Sequence, residues 1–366
     1  MKNSFGNNIT VSIFGESHGK MIGAVLDGLA PGIKIDRDYI NKKLAQRRPC
    51  GNISTKRVEA DEFQIVSGEF QGYTTGTPLT ILISNTEQKS SDYSSIFDIP
   101  RPGHADFAAE CKYHGYQDKR GGGHFSGRIT AATVAAGAIV EYALLSLGIK
   151  IGTHISSLAG IHDRNFSDLD ADINYLSDAK FPVLDTEAAL KMTEKIEEAA
   201  RMGDSVGGIL ESVITGLPAG VGEPYFDTLE GLISHALFSV PGIKGVSFGA
   251  GFSFADMYGS EANDAFETDG KSVYTKTNNN GGINGGISNG MPITVKSAVK
   301  PTPSIYKEQS SISLSKMTNE KTAISGRHDP AIIHRARAVV DATLAIAVGD
   351  ALVTRFGTDY LKNGGK

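Results

Sequence analysis

No regular element can run unbroken from Arg101 to Arg128. The stretch opens Arg101-Pro102-Gly103-His104-Ala105-Asp106 and closes Arg120-Gly121-Gly122-Gly123-His124-Phe125-Ser126-Gly127-Arg128. Proline and glycine at that density punctuate helices and strands, so both ends are read as loops. Into these loops fall Arg101, Arg120, Arg128, His104, His124 and Asp106. Glycine lets backbone N–H groups approach an anion, and arginine adds a permanently charged planar fork for phosphate or carboxylate. Histidine adds a proton that moves near neutral pH. The combination describes a site for a highly anionic ligand undergoing proton-dependent chemistry.

The 366 residues are 40% hydrophobic, enough for one large core or two ordinary ones. A net charge of −5 argues against a general nucleic-acid binder, since the cationic groups are gathered into a few loops. Cys50 and Cys111 offer neither a disulfide framework nor metal-knuckle spacing. Met1 to Gly6 has no apolar leader pattern. The apolar run from Ile129 to Leu147 is broken by Glu141 and is read as a core helix, with no membrane span expected. A soluble protein of a reduced compartment is expected.

Hydrophobic periodicity predicts strands at Thr10 to Phe14, Met21 to Leu26 and Leu79 to Ile83. Helices are predicted at Asp36 to Arg48, Ile129 to Leu147, Thr186 to Met202, Phe226 to Ser239 and Pro330 to Arg355. Residues 272–290 read as an exposed glycine/asparagine loop. Two segments are alike: Val25 to Ile33 leads into the Asp36 helix, and Val213 to Val221 leads into the Phe226 helix. Each reads strand, Gly-Leu-Pro-Gly-like turn, helix, which is either a duplication or two similar turns. No segment reads as an interdomain linker, so a single domain over 1–366 is expected.

Several motifs compete for a chemical reading. Gly15-Glu16-Ser17-His18-Gly19 matches the spacing of a nucleophile elbow, but a strand rather than a helix follows it. Gly270-Lys271-Ser272 lacks the first glycine of a P-loop, and no Gly-x-Gly-x-x-Gly follows a strand. His104-x-Asp106 with His114 or His124 has the residue types of a metal cluster. It lacks the spacing, and arginines beside it would repel a cation, so no metal is expected. Asp329, ahead of Pro330, reads equally as a helix N-cap or as part of an anion site with Arg327 and Arg335. Lys300-Pro301-Thr302-Pro303-Ser304 is a basic loop with hydroxyls.

Taken in order, these loops resemble the signatures of the chorismate synthase family. They are Gly15 to Gly19 with Asp27-Gly28, Arg101 to Asp106, Gly121 to Arg128 and Gly326-Arg327-His328-Asp329-Pro330. Gly203-Asp204-Ser205, Gly281 to Ile287 and the Lys300 loop are similar as well. The resemblance spans nearly the whole chain. It departs from the commonest pattern at His124-Phe125-Ser126, at Pro241-Gly242, at Asp341, and near Asn52 and Ile53, where no arginine aligns.

The resemblance implies an α/β (α+β) fold: a β-α-β sandwich whose antiparallel sheets enclose long helices, with an internal pseudo-duplication. It implies a cytoplasmic homotetramer that converts 5-enolpyruvylshikimate 3-phosphate into chorismate and phosphate by anti-1,4-elimination, with reduced FMN as cofactor. The reducing equivalents are left open between NADPH, with Arg47 as a contact, and an external flavin reductase. By the same resemblance His18, His104 and Asp329 are catalytic, and Ser17, Arg47, Arg48, Arg128 and Arg335 bind substrate. The cofactor is assigned to His124, Phe125, Ser126, Pro241, Gly242, Gly285, Lys300, Pro301, Thr302, Pro303, Ser304 and Arg327. The alternative of a non-enzymatic flavin-storage or phosphate-binding protein with the same fold would not require three titratable groups.

Overall fold

A computed structural model describes residues 2–49, 51–54, 61–85, 98–323 and 328–363. Two five-stranded sheets, antiparallel throughout, form the outer layers. One runs in the order Ser4–Phe5, Thr10–Gly15, Met21–Asp27, Leu79–Ser84, Phe63–Ser67. The other runs Ile243–Phe248, Ile293–Val299, Gly208–Thr215, Lys150–Leu158, Ile161–His162. Between them lie the helices Thr130–Ser146 and Ile333–Phe356. The first touches the N-terminal sheet, the second the C-terminal sheet, and the two helices cross each other.

The strand pattern explains the layering. Ile22, Ala24 and Leu26 pair in register with Ile83, Ile81 and Leu79, so one face carries an unbroken apolar row. All six are at most 1% exposed. Burying each large aliphatic side chain contributes roughly 1.5–3 kcal/mol. The inner helices are rich in alanine, with one glycine each, because they approach closely. A Cβ on Gly137 would lie 2.5 Å from the Cβ of Ala342. The stretch Gly127–Ser146 is long and apolar enough for a membrane span, but it lies mostly buried inside the molecule, as a core helix.

Glu141, which interrupts that apolar run, has a partner. Lys43 of the helix Arg37–Gln46 donates to Glu141 at 2.8 Å and to Asp341 of the last helix at 3.1 Å. This buried knot ties three helices together and places Asp341 in the core, away from the loops.

The two similar segments occupy equivalent places. Met21–Asp27 and Gly208–Thr215 are each the central strand of a five-stranded sheet, and each leads through positive-φ glycines, Gly28 and Gly32 in one and Gly216, Gly220 and Gly222 in the other, into a helix. The first helix is Arg37–Gln46, capped by Asp36, whose carboxylate accepts from the Tyr39 N–H. The second is Leu229–Leu237.

Three expectations are corrected. The Phe226 helix starts at Leu229, because the Thr228 hydroxyl caps the Gly231 N–H and Tyr225–Asp227 forms a separate 3-10 turn. The last helix starts at Ile333, because the Pro330 carbonyl is drawn away to accept from the Val206 N–H at 2.8 Å. Residues 272–290 are not one exposed loop: Val273–Thr275 is a strand, and Gly281, Gly282 and Ile283 are buried.

Candidate active site

The glycine run is the hinge of the site. Gly121, Gly122 and Gly123 have φ of 61°, 101° and 54°, a path that residues with a Cβ adopt at a cost. It threads between two imidazoles. A Cβ on Gly121 would lie 2.1 Å from His18 Cε1, and one on Gly122 would lie 3.6 Å from His104 Nε2. His18 and His104, far apart in sequence, therefore flank one strip of bare backbone.

The Ser17–His18 turn joins the strands Thr10–Gly15 and Met21–Asp27 and is pinned from three sides. The Ser17 N–H donates to the Gly123 carbonyl at 3.1 Å. The Ser17 hydroxyl donates to the Arg120 carbonyl at 3.3 Å and accepts from His18 Nδ1 at 3.1 Å. Asn85 Nδ2 donates to the carbonyls of Glu16 at 3.0 Å and Gly19 at 2.9 Å. His18 is only 5% exposed, so it is no surface turn residue.

On the other side, His104 Nδ1 meets Asp106 Oδ1 at 2.7 Å, and Arg101 closes over the same carboxylate. The pair weighed in the sequence as part of a metal cluster is bonded to itself and to Arg101. Among the described residues, no group of three His, Cys, Asp or Glu is placed to hold a metal. A cleft lined by Pro100, Asp106, Gly122 and Phe125 opens beside it.

The arginines converge on one buried carboxylate. Asp61, 3% exposed, accepts from Arg47 at 2.8 Å and from Arg128. Burial pushes the Asp61 carboxyl up, but the two guanidinium groups more than offset this and hold it below the usual carboxylate range. Arg128 also donates to Asn85 Oδ1 at 2.9 Å, which ties the arginine to the Ser17–His18 turn. Arg335 donates to the Arg47 carbonyl at 2.8 Å and to Asp329. Asp329 is thus joined to the arginine network through the last helix. Its reading as the N-cap of that helix is overturned: the cap position is Ile332, with no side-chain cap bond. Arg48, half-buried, follows Arg47 at the end of the helix Arg37–Gln46.

The remaining assigned residues divide. His124 Nδ1 donates to the Gly15 carbonyl at 2.8 Å, and Phe125 stacks edge-on against Tyr113. Ser126 caps the turn before the long helix by accepting from the Arg128 N–H at 3.2 Å. Lys300 donates to the Gly103 carbonyl and Pro303 touches Gly103, so the Lys300–Ser304 loop lies against the Arg101–His104 loop. Gly242 accepts from the Lys300 N–H at 2.9 Å, with exposed Pro241 next to it. Gly285 stands apart, exposed in a hairpin tied to the start of the Leu229–Leu237 helix. Arg327 and the side chain of Asn52 lie outside the described residues.

Sequence reasoning missed Asp61 and Asn85, which carry no motif. It placed Arg101 and Asp106 in the loops of the anion site but gave neither a role of its own. The His104-x-Asp106 spacing was the available signal, and an adjacent arginine should have favoured a carboxylate–imidazole pair over a cation site.

Comparison with known proteins agrees with the geometry. The family model described as "Chorismate synthase" matches residues 9–353. A chorismate synthase from Pyrococcus abyssi is 44% identical over 351 residues, covering 96% of this chain and 97% of that protein. One from Methanosarcina barkeri is 44% identical over 352 residues, covering 96% of each. A crystal structure of chorismate synthase superimposes with a TM-score of 0.76 at 28% identity, over 97% of this chain and 94% of that one.

Proposed function

The chain belongs to the chorismate synthase family, and from that premise we propose how its residues carry the family reaction. The enzyme is a carbon–oxygen lyase. It removes phosphate from 5-enolpyruvylshikimate 3-phosphate by anti-1,4-elimination to give chorismate, the last step of the shikimate pathway. A C–O bond to phosphate breaks, a C–H proton leaves, and a ring double bond forms without net oxidation.

The family uses reduced flavin, and the loops of this chain suit it. Gly122 presents backbone where a side chain would fill the space facing His104 Nε2. Thr302 Oγ1, in the loop lying against Gly103, is buried and has no hydrogen-bond partner among the described residues. His104, Lys300, Thr302, Ser304 and the His124–Ser126 segment would hold reduced FMN, with Pro241 and Gly242 behind Lys300. When bound, the reduced flavin supplies electron density that eases phosphate departure and an acceptor for the substrate proton.

The protein's own groups do the rest. Arg47, Arg48, Arg128 and Arg335 hold the substrate's two carboxylates and its phosphate, and Asp61 and Asn85 keep two of those arginines in place. His18, set by Ser17, gives a proton to the departing phosphate. His104 balances charge on the flavin side, and Asp329, held by Arg335, manages the proton taken from carbon. A positioned acid or base of this kind contributes roughly 10²–10⁴-fold.

The single observation that carries this reading is the glycine strip with His18 on one side and His104 on the other. Electron supply is assigned to an external flavin reductase, since no Gly-x-Gly-x-x-Gly dinucleotide motif follows a strand. A cytoplasmic homotetramer is proposed as well. Phe226, Phe252 and Tyr225, at 98%, 91% and 87% exposure, are apolar surface that neighbouring copies would cover. The test is anaerobic phosphate release from the substrate with dithionite-reduced FMN. Release is expected only with reduced flavin; equal release with oxidised FMN sinks the assignment.

A further inference from the structure

Asp106 has no part in the roles above, yet its carboxylate is held on all sides. Arg101 donates its backbone N–H to Oδ2 at 2.9 Å, Nε to Oδ2 at 2.7 Å and Nη2 to Oδ1 at 2.7 Å. His104 Nδ1 reaches Oδ1 at 2.7 Å. Burial pushes the Asp106 carboxyl up, but the hydrogen bonds and charges of Arg101 and His104 outweigh it and keep the group well below the usual carboxylate range. The carboxylate is therefore ionised and only accepts.

That settles which ring nitrogen of neutral His104 carries hydrogen. A 2.7 Å contact with an acceptor-only oxygen requires a proton on Nδ1. Arg101 Nη2 also lies 3.1 Å from Nδ1, and one of its two hydrogens goes to Asp106 Oδ1. Donation of the other to an unprotonated Nδ1 would leave Nδ1 and Oδ1 as two acceptors 2.7 Å apart, so Nδ1 keeps its own hydrogen. The opposite edge of the ring faces Gly122, where a Cβ would come within 3.6 Å of Nε2 and where only backbone stands.

We infer that Asp106, clamped by Arg101, is a positioning residue that holds His104 as the Nδ1–H tautomer and leaves Nε2 as the one nitrogen that takes or gives a proton on the flavin side. The inference rests on the flavin-side role proposed for His104. The competing role for Asp106 is purely structural. It opens the helix Asp106–Tyr113, where an acidic residue suits the dipole, and it ties down the Arg101 loop. The two roles separate on the tautomer. Asparagine keeps the shape of aspartate, but its amide donates to Nδ1 and favours hydrogen on Nε2.

The experiment uses protein with ¹⁵N-labelled histidine, without flavin, at about pH 8, above the ordinary imidazole range near 6.5. Wild-type His104 is expected as Nδ1–H. Asp106→Asn is expected to shift it toward Nε2–H, and Asp106→Glu to restore the wild-type form in part. With saturating reduced FMN under anaerobic conditions, turnover of Asp106→Asn should fall by at least about tenfold, within the span of a positioned acid–base group. Wild-type His104 found as Nε2–H overturns the inference with no variant needed. So does an Asp106→Asn protein that keeps either the Nδ1–H form or wild-type turnover. Full turnover in His104→Ala would instead overturn the flavin-side role of His104, and the tautomer measurement distinguishes that failure from this one.

Discussion

The α-carbon of Gly121 lies so close to His18 that a methyl group on it would sit 2.1 Å from Cε1 and 2.4 Å from Nδ1 of the ring. Gly121 is therefore the residue that lets His18 stay where it is, and its φ of 61° adds a second reason for glycine. Gly121→Ala must either move the imidazole or lift the strip off the Ser17 turn. Turnover is expected to fall at least about tenfold, comparable with His18→Ala, since the acid is displaced rather than deleted. Stability should drop by about 1–2 kcal/mol from the backbone strain. Anaerobic turnover of Gly121→Ala within twofold of wild type would show that the contact does not position the acid.

Asp329 is bonded to Arg335 and caps no helix end. Its replacement by asparagine therefore removes no cap from the last helix and takes away the charge that pairs with Arg335 in its first turn. Asp329→Asn is expected to melt within a few degrees of wild type and still bind FMN. Its turnover is expected to fall at least about tenfold, the low end for lost acid–base function. A fully active variant would leave Asp329 with no part in proton transfer.

The sheets and inner helices were legible because their signals are local. Alternation at Leu79 to Ile83 and capping at Asp36 and Asp185 need no tertiary information. His18 and His104 stand out in the sequence because their glycine-containing loops break the local rules of regular structure, and the fold brings both rings to one glycine strip. Asp61 was not legible, because its role exists only once Arg47 and Arg128 are brought to it from two separate elements. The start of the last helix was misread for the same reason. Asp329-Pro330 is a proper cap signal, but Arg335 and the Val206 N–H, both set by tertiary structure, took the groups that would have made the cap.

His154 makes one region pH-sensitive away from the site. Its ring is fully buried, with Nδ1 2.7 Å from Asp163 and Nε2 3.1 Å from Glu211. Lys296 stands 3.5 Å beyond Glu211, Phe166 packs edge-on, and Arg164 pairs with Asp172 nearby. Burial pulls the His154 pKa down, but the bonds to Asp163 and Glu211 and their charges outweigh it and raise it. Asp163 and Glu211 are held below their usual range despite burial, chiefly by bonding to His154. A raised histidine contributes stability that is complete below its unfolded value, about 6.5, and is lost as pH rises through the folded value. The lowered carboxylates contribute above about 4 and lose that as pH falls. The cluster is thus most stabilising between about pH 4.5 and 6.5. Melting temperature of wild type minus His154→Gln should be largest there and shrink toward alkaline pH. A difference independent of pH would contradict the assignment.

Asp61 leaves two guanidinium groups facing one another when its charge is removed. Arg47 and Arg128 are 4% and 7% exposed, so neither can turn out to water without moving its element. Breaking a buried pair by removing one partner typically costs about 3–5 kcal/mol, and Asp61→Asn is expected to lose stability on that scale. The same variant should gain more than wild type from an added anion, because the two arginines then lose the negative charge that Asp61 places between them. Inorganic phosphate at millimolar concentration should raise the melting temperature of Asp61→Asn by several degrees more than that of wild type, and sodium chloride at equal ionic strength should not. If phosphate stabilises both proteins alike, these arginines are a structural pair and the substrate's anionic groups bind elsewhere.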